Sequence, residues 1–157
     1  MSFFDAALIY DNDARRCDLE IGADGDLLMD ETPIPAILIS VGLDRRAEPD
    51  DPLPVGRSKF LTPASYSELR GGPCDALDPK GERTGARCWL LDRAKETEVT
   101  RLLFQFWLEE SLEWAEIETG YPAEIDTQWL ESNSSTGRMG YRILIEDSAI
   151  NLTRAVN

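Results

Sequence analysis

A chain of 157 residues with 42% apolar content is long enough for one domain with a core of its own, and nothing in its composition calls for a second. Its 16 basic and 30 acidic residues leave a net charge of -14, which excludes a nucleic-acid binder working through its whole surface; any anion site must be local. Histidine is absent, which removes the commonest general base, the Ser-His and Cys-His nucleophile pairs and most zinc sites, so any chemistry must run on carboxylates, lysine or tyrosine.

The start, MSFFDAALIY, has no basic segment and carries Asp5, and no apolar run reaches the length that crosses a bilayer. The expectation is a protein made in the cytosol, with no membrane contact. Ala7 to Tyr10, Cys17 to Ile21 and Leu27 to Met29 read as short strands separated by turn-rich DNDARR and GADGD, an N-terminal meander. Asp11 to Asp13 and Asp24 to Asp26 superficially look like calcium loops, but the further oxygen ligands and closing glutamate are missing at the required offsets. In ETPIPAILISVGLDRRA, Thr32 reads as an N-cap, Pro33 as the first helical position, and Ile34, Ile37, Leu38 and Val41 share one face. The pattern predicts a helix to about Arg46, although the β-branched run from Ile37 to Val41 could also form a strand.

Residues 48–83 differ in kind, with Pro49, Pro52, Pro54, Pro63, Pro73 and Pro79 and little periodicity. A loop of this length in a small domain is functional or disordered rather than a simple connection. Phe60, Leu61, Tyr66 and Leu69 equip it to dock, on its own domain or on another chain, and an extended course over neighbouring subunits is the expectation. At its end, GERTGARCWLLDR (81–93) poses a choice between a phosphate-gripping loop and a backbone corner. A P-loop needs Gly-Lys-Ser/Thr and a dinucleotide fingerprint needs three spaced glycines; neither is present, which favours a corner leading into a buried CWLL segment. Cys17, Cys74 and Cys88 are odd in number and lack C-x-x-C spacing, so each reads as a small buried hydrophobe.

A long helix is expected from Glu96 to about Thr119, with Thr97 as cap and Glu98 near the positive end of the dipole. Its apolar residues form two stripes: Val99, Leu102, Leu103, Phe106, Trp107, Trp114 and Ile117 on one side, Phe104, Leu108, Leu112 and Ala115 nearly opposite. One sheet covers only one of them, so another helix or a partner chain must cover the other. Glu109, Glu110, Glu113, Glu116 and Glu118 load its C-terminal half as a solvated face or a surface for a basic partner. As a glycosidase pair, Glu110 and Glu113 would need a cleft and two different environments. The tryptophans fall on apolar stripes or strand faces, which points to core packing. AEIDTQWLE and MGYRILIED then alternate with period two, placing Ala123, Ile125, Thr127 and Trp129, and Met139, Tyr141, Ile143 and Ile145, on one face of a C-terminal β-hairpin. The tail 148–157 shows no strong period.

These elements make an α+β fold, two main helices on a small mixed sheet, as a single domain over 1–157. Their order, and above all Leu43-Asp44-Arg45-Arg46-Ala47 and Gly85-Ala86-Arg87-Cys88-Trp89-Leu90-Leu91, resembles the small baseplate proteins of phage Mu-like contractile tails, the family named after Mu gene product forty-six. That family is similar to the sheath-initiator proteins of larger contractile phages. The central loop departs from it, reading GRSKFLTPASYSELRGGPCDAL where family members often carry a tryptophan-rich segment, so loop contacts are not carried over. The resemblance implies a structural virion component made in the host cytoplasm, without cofactor or catalytic residues, partnered by wedge, hub and sheath proteins. It makes Arg45, Arg46 and Arg87 candidate assembly contacts, although these arginines could pair with the chain's own carboxylates. It also implies that the hairpin, through Leu144 and Ile145, offers an edge on which the first sheath subunit adds a strand. Two other functions stay open: a carboxylate-based muralytic hydrolase of the tail, and an acidic binding protein that covers a basic partner.

Overall fold

The computed structural model of the chain describes residues 3–11, 13–14, 16–54, 66–72, 75, 83–131 and 137–156. Their architecture is α+β, and every pair of strands among them is antiparallel; the parallel part of the expected mixed sheet shrinks to one bridge between Asp44 and Ala86.

The N-terminal meander is present as a narrow ribbon. Strand β1 (Asp5–Ala6) pairs with β4 (Met29–Asp30), β2 (Leu8–Asp11) pairs with β3 (Arg16–Leu19), and Ile21 bridges to Leu27. The acidic triplets build its turns: Asp11 Oδ1 accepts from the N–H groups of Asp13 (2.8 Å) and Ala14 (3.0 Å), and Asp24 Oδ1 from that of Asp26 (3.2 Å). Because β2 meets the core through Leu8 and Tyr10, β3 is left outside, and Cys17 is exposed rather than buried as expected.

Helix α1 (Ile34–Gly42) starts one residue later than expected, with Pro33 rather than Thr32 at the N-cap; Thr32 Oγ1 accepts from the Ile34 N–H at 3.3 Å just ahead of it, and Ile37, Leu38 and Val41 are buried. It stops at Gly42, short of Arg46. Leu43 turns extended, and backbone bonds to Ala86 replace helical ones: Ala86 N–H donates to Leu43 O (2.9 Å) and Arg45 N–H to Ala86 O (3.1 Å). This close approach needs Gly85, whose φ is +101° and whose added Cβ would stand 2.5 Å from Leu43 O. The backbone-corner reading of GERTGAR therefore holds at Gly85, while Gly81 lies outside the described residues.

The expected long helix is two. Thr97 Oγ1 accepts from the Thr100 N–H at 3.1 Å to open α2 (Glu98–Ser111), and α3 (Trp114–Thr119) follows after a tightened turn in which Leu112 N–H bonds back to Glu109 O. Leu112 and Ala115, on either side of this turn, are both buried. Gly120, in the left-handed region at φ 82°, closes α3.

The C-terminal hairpin proves to be a three-stranded sheet in the order β5 (Glu124–Leu130), β6 (Arg138–Ile145), β7 (Ser148–Ala155). The supposed tail is thus a strand, turned back at Glu146, whose φ is 54°. The sheet face expected from alternation, Ile125, Thr127, Trp129, Met139, Tyr141, Ile143 and Ile145, is the covered one; Ile150, Leu152, Arg154 and Val156 extend it. Helix α2 lies against β5 and α1 against β7, with the 3₁₀ turn Arg87–Leu91 contributing buried Cys88, Trp89, Leu90 and Leu91. Phe104 meets Tyr141 edge to face, centroids 5.3 Å apart. The tryptophans serve the core as expected: Trp89 and Trp107 are buried, Trp114 and Trp129 half-buried against it.

The described pieces of the central loop pack on their own domain rather than reaching outward. Leu53 and Leu69 touch the core, Ala47 N–H donates to Leu69 O at 2.9 Å, and Arg83 pairs with Glu48 at 2.6 Å. Phe60, Leu61 and Cys74 lie outside the described residues.

Candidate functional site

Directly after the Gly85 corner, Arg87 points across to α2. Its Nε and Nη2 donate to the two carboxylate oxygens of Glu110 at 3.0 and 2.8 Å, and Nη1 donates to Asp51 at 3.0 Å. Arg45 stands 3.9 Å from the same Glu110. Burial opposes the charge on Arg87, but the hydrogen bonds to Glu110 and Asp51 outweigh it and hold its pKa above the ordinary arginine value. One fork thereby joins the central loop, the corner and the long helix.

A second network joins the other loop end to the sheet. Arg70 donates to Asp44 at 2.5 Å and to Asp92 at 3.3 Å, while Arg154, from the covered face of β7, lies 3.6 Å from each of the same two carboxylates. The Arg70 guanidinium sits 4.5 Å above the Trp89 ring, whose Nε1 donates to Arg45 O at 2.8 Å. Burial works against the charge of Arg154 too, and its neighbours Cys88, Asp92 and Asp44 overcome it, leaving the pKa raised. Arg46 donates to Arg70 O at 3.2 Å. The motifs that carried the resemblance are therefore internal cement: Arg45, Arg46 and Arg87 engage the chain's own acceptors. Asp51, Arg70, Asp92 and Arg154 complete these networks without having stood out in the sequence; only the inward place of Arg154 in the β7 alternation signals one of them.

Glu110 and Glu113 do line a common cleft, of about 610 Å³, with Arg45 and Arg83. Both oxygens of Glu110 are taken by Arg87, so proton donation or nucleophilic attack there would first have to break a two-pronged ion pair. The Cys88 thiol, pushed up to about 12 by burial, is inert packing. Among the described residues no group of three or more His, Cys, Asp or Glu could hold a metal ion, and no helix is long and apolar enough to cross a membrane.

What the domain leaves open is apolar. The stripe of Phe104, Leu108, Leu112 and Ala115 is buried, whereas Val99, Leu102, Leu103 and Phe106 are 67, 51, 40 and 55% exposed. Of the first stripe, Trp107 is buried and Trp114 half-buried, so this domain covers the second stripe and part of the first and leaves Val99, Leu102, Leu103, Phe106 and Ile117 open. The sheet is open as well, at different residues than expected. Leu144 sits on the central strand, paired to Glu124 and Ala149, and Ile145 is buried opposite Ser148, so neither offers a free edge. The edges are β5 and β7. Arg101 of α2 occupies part of the first, donating to Thr127 O at 3.4 Å and Thr127 Oγ1 at 2.9 Å. The register, with Val156 N–H bonded to Gly137 O, directs the backbone groups of Ala149, Asn151, Thr153 and Ala155 away from β6.

A family model for the phage protein GP46 matches residues 33–151, from the start of α1 into β7. The chain belongs to the phage protein GP46 family. No curated protein and no solved structure matches it. Membership of the GP46 family makes this a phage protein and supports, at that level, a structural role associated with the virion. The N-terminal ribbon lies outside the matched residues, whereas the corner, the Arg87 network and the uncovered face of α2 lie inside them, as does the Arg70 network apart from Arg154.

Proposed function

We propose that this GP46 protein is a non-enzymatic part of the baseplate of a contractile tail, joining wedge or hub proteins to the first sheath ring and initiating sheath assembly. The observation that carries this reading is the uncovered apolar face of α2, Val99, Leu102, Leu103 and Phe106, on a protein whose Arg87, Asp51 and Glu110 are spent on holding its own loop and corner. A contiguous exposed apolar stripe on a domain this small marks a protein contact. The likeness to sheath initiators adds a second surface: the edge of β7, which another chain can extend through backbone bonds. Beside it runs a cavity of about 260 Å³, bordered by Tyr10, Leu38 and Thr153, where a side chain of an added strand can seat.

The test uses tails assembled with variants of this subunit. Phe106→Glu, on the exposed face, is expected to fold but to be missing from purified baseplates, and Asn151→Pro, which removes an outward donor of β7, to give baseplates bearing bare tubes. Electron micrographs showing normal sheathed tails from both variants would overturn the proposal.

A further inference from the structure

Resting on the baseplate reading, we infer that the open face of α2 seats one amphipathic helix from a different protein, with an apolar stripe and a lysine or arginine cluster at the end that lies over Glu109, Glu113 and Glu116. Val99, Leu102, Leu103 and Phe106 follow i, i+3, i+4, i+7 spacing, the pattern through which one helix accepts another along its length. A flat or irregular partner would not need that period.

Charge says what the second helix carries. The acids Glu98, Glu109, Glu110, Glu113, Glu116 and Glu118 of α2, α3 and their junction share those elements with a single cation, Arg101, which is taken by Glu98 at 2.5 Å; across the cleft that Glu113 lines, Arg45 and Arg83 are engaged by Glu110 and Glu48. Glu110 is neutralised by Arg87, but Glu109, Glu113 and Glu116 are exposed, and neither helix has a basic residue in its last turn. Gln105 donates to Glu109 at 2.9 Å, which supplies a hydrogen bond and no positive charge. The dipole of α2 adds further negative potential around Glu109, near its C-terminal end. The surface is thus graded, apolar over the first turns of α2 and uncompensated negative beyond its middle. A second copy of this chain would bring like glutamates and a net charge of -14 against each other, so a self-pair is disfavoured.

The intact protein can be titrated by fluorescence anisotropy with three labelled synthetic helical peptides. One carries a leucine stripe and a terminal lysine cluster, the second replaces those lysines by glutamate, and the third keeps the lysines but has serine in the stripe. The lysine-leucine peptide is expected to bind at least about tenfold tighter than either control at low salt. Phe106→Glu should abolish that preference with an unchanged circular dichroism spectrum, and Glu109→Lys with Glu113→Lys should transfer it to the glutamate peptide. Equal binding of all three peptides, no binding of any, or a homodimer lost on Phe106→Glu would each overturn the inference. Absent peptide discrimination, loss of Phe106→Glu from baseplates would still leave the baseplate reading standing. Clear discrimination with normal tails would instead sink that reading and keep the helix site.

Discussion

Arg87 holds Glu110 by two parallel bonds of 3.0 and 2.8 Å, with side chains only 13 and 20% exposed, so the corner and the long helix share one ion pair. Removing one partner strands the other in a half-dry site. Arg87→Ala is expected to cost about 2–4 kcal/mol by urea unfolding, near the lower end for buried pairs because water still reaches this one. A double-mutant cycle with Glu110→Gln should return a coupling of roughly 1–3 kcal/mol. Additive losses would mean that the pair does not hold. The same Glu110→Gln protein separates the hydrolase reading from the structural one: peptidoglycan-degrading activity in the wild type that vanishes in this variant would establish a catalytic carboxylate. No such activity is expected.

Gly85 and Gly25 test the corner against an ordinary turn. Both have positive φ, +101° and +83°, but a Cβ on Gly85 would collide with Leu43 O at 2.5 Å and Arg45 N at 2.9 Å, whereas one on Gly25 meets nothing within 4 Å. Gly25→Ala should therefore cost only the conformational strain, about 1 kcal/mol, and Gly85→Ala at least about 3 kcal/mol, because the opposing atoms are backbone. Similar midpoints in denaturant for the two variants would refute the close packing of the corner on Leu43–Arg45.

These two glycines also show where sequence reasoning works and where it stops. Periodicity, together with end signals, found the stripes of α2, the covered face of β5 and β6, and the capping role of Thr97, because each depends on neighbours within a few residues. It overran α1 to Arg46, since the bonds that end the helix come from Ala86, some forty residues on, through a parallel bridge with no local signature. It lost β7 for a related reason: Arg154 stands at an inward position and breaks the apolar alternation, and only the distant Asp44 and Asp92 explain why a charge belongs there. The intrachain acceptors of Arg45, Arg46 and Arg87 were not legible either, since they lie far along the chain. Which stripe of α2 would be buried was likewise undecidable from the helix alone.

The two described cysteines should behave oppositely. Cys17 is exposed on β3, while Cys88 is buried, its thiol 3.7 Å from Phe104 O and pushed up to about 12. In a Cys74→Ser background, a thiol reagent should label one site in the native protein and a second only on unfolding. The sign for stability follows: the unfolded thiol loses its proton near its ordinary value of 9.0, the native one only near 12, so between these pH values the unfolded state holds fewer protons. Stability contributed by neutral Cys88 is complete below pH 9 and falls as pH rises toward 12, by at most about 1.4 kcal/mol per pH unit. Cys88→Ala should flatten that alkaline slope. An unchanged slope would mean that another group sets it.

Proline at two positions distinguishes the centre of the sheet from its edge. Leu144 lies on β6 between Glu124 and Ala149, and by alternation its N–H points to β5, inside the ladder. Asn151 lies on β7, where the Val156 to Gly137 bond fixes the register and turns the Asn151 N–H outward. Leu144→Pro removes a ladder bond and forces a ring between two strands, so it should cost about 3 kcal/mol or more and leave little folded protein. Asn151→Pro removes only an outward donor, and its thermal midpoint should stay within a few degrees of the wild type, the shift produced by about 1 kcal/mol or less. Deleting 148–157 is expected to resemble Leu144→Pro rather than Asn151→Pro, because Leu152 and Val156 of that segment are buried in the core. If Asn151→Pro unfolded the protein as thoroughly as Leu144→Pro, the outer side of β7 would be engaged within the chain, and no incoming strand could use it.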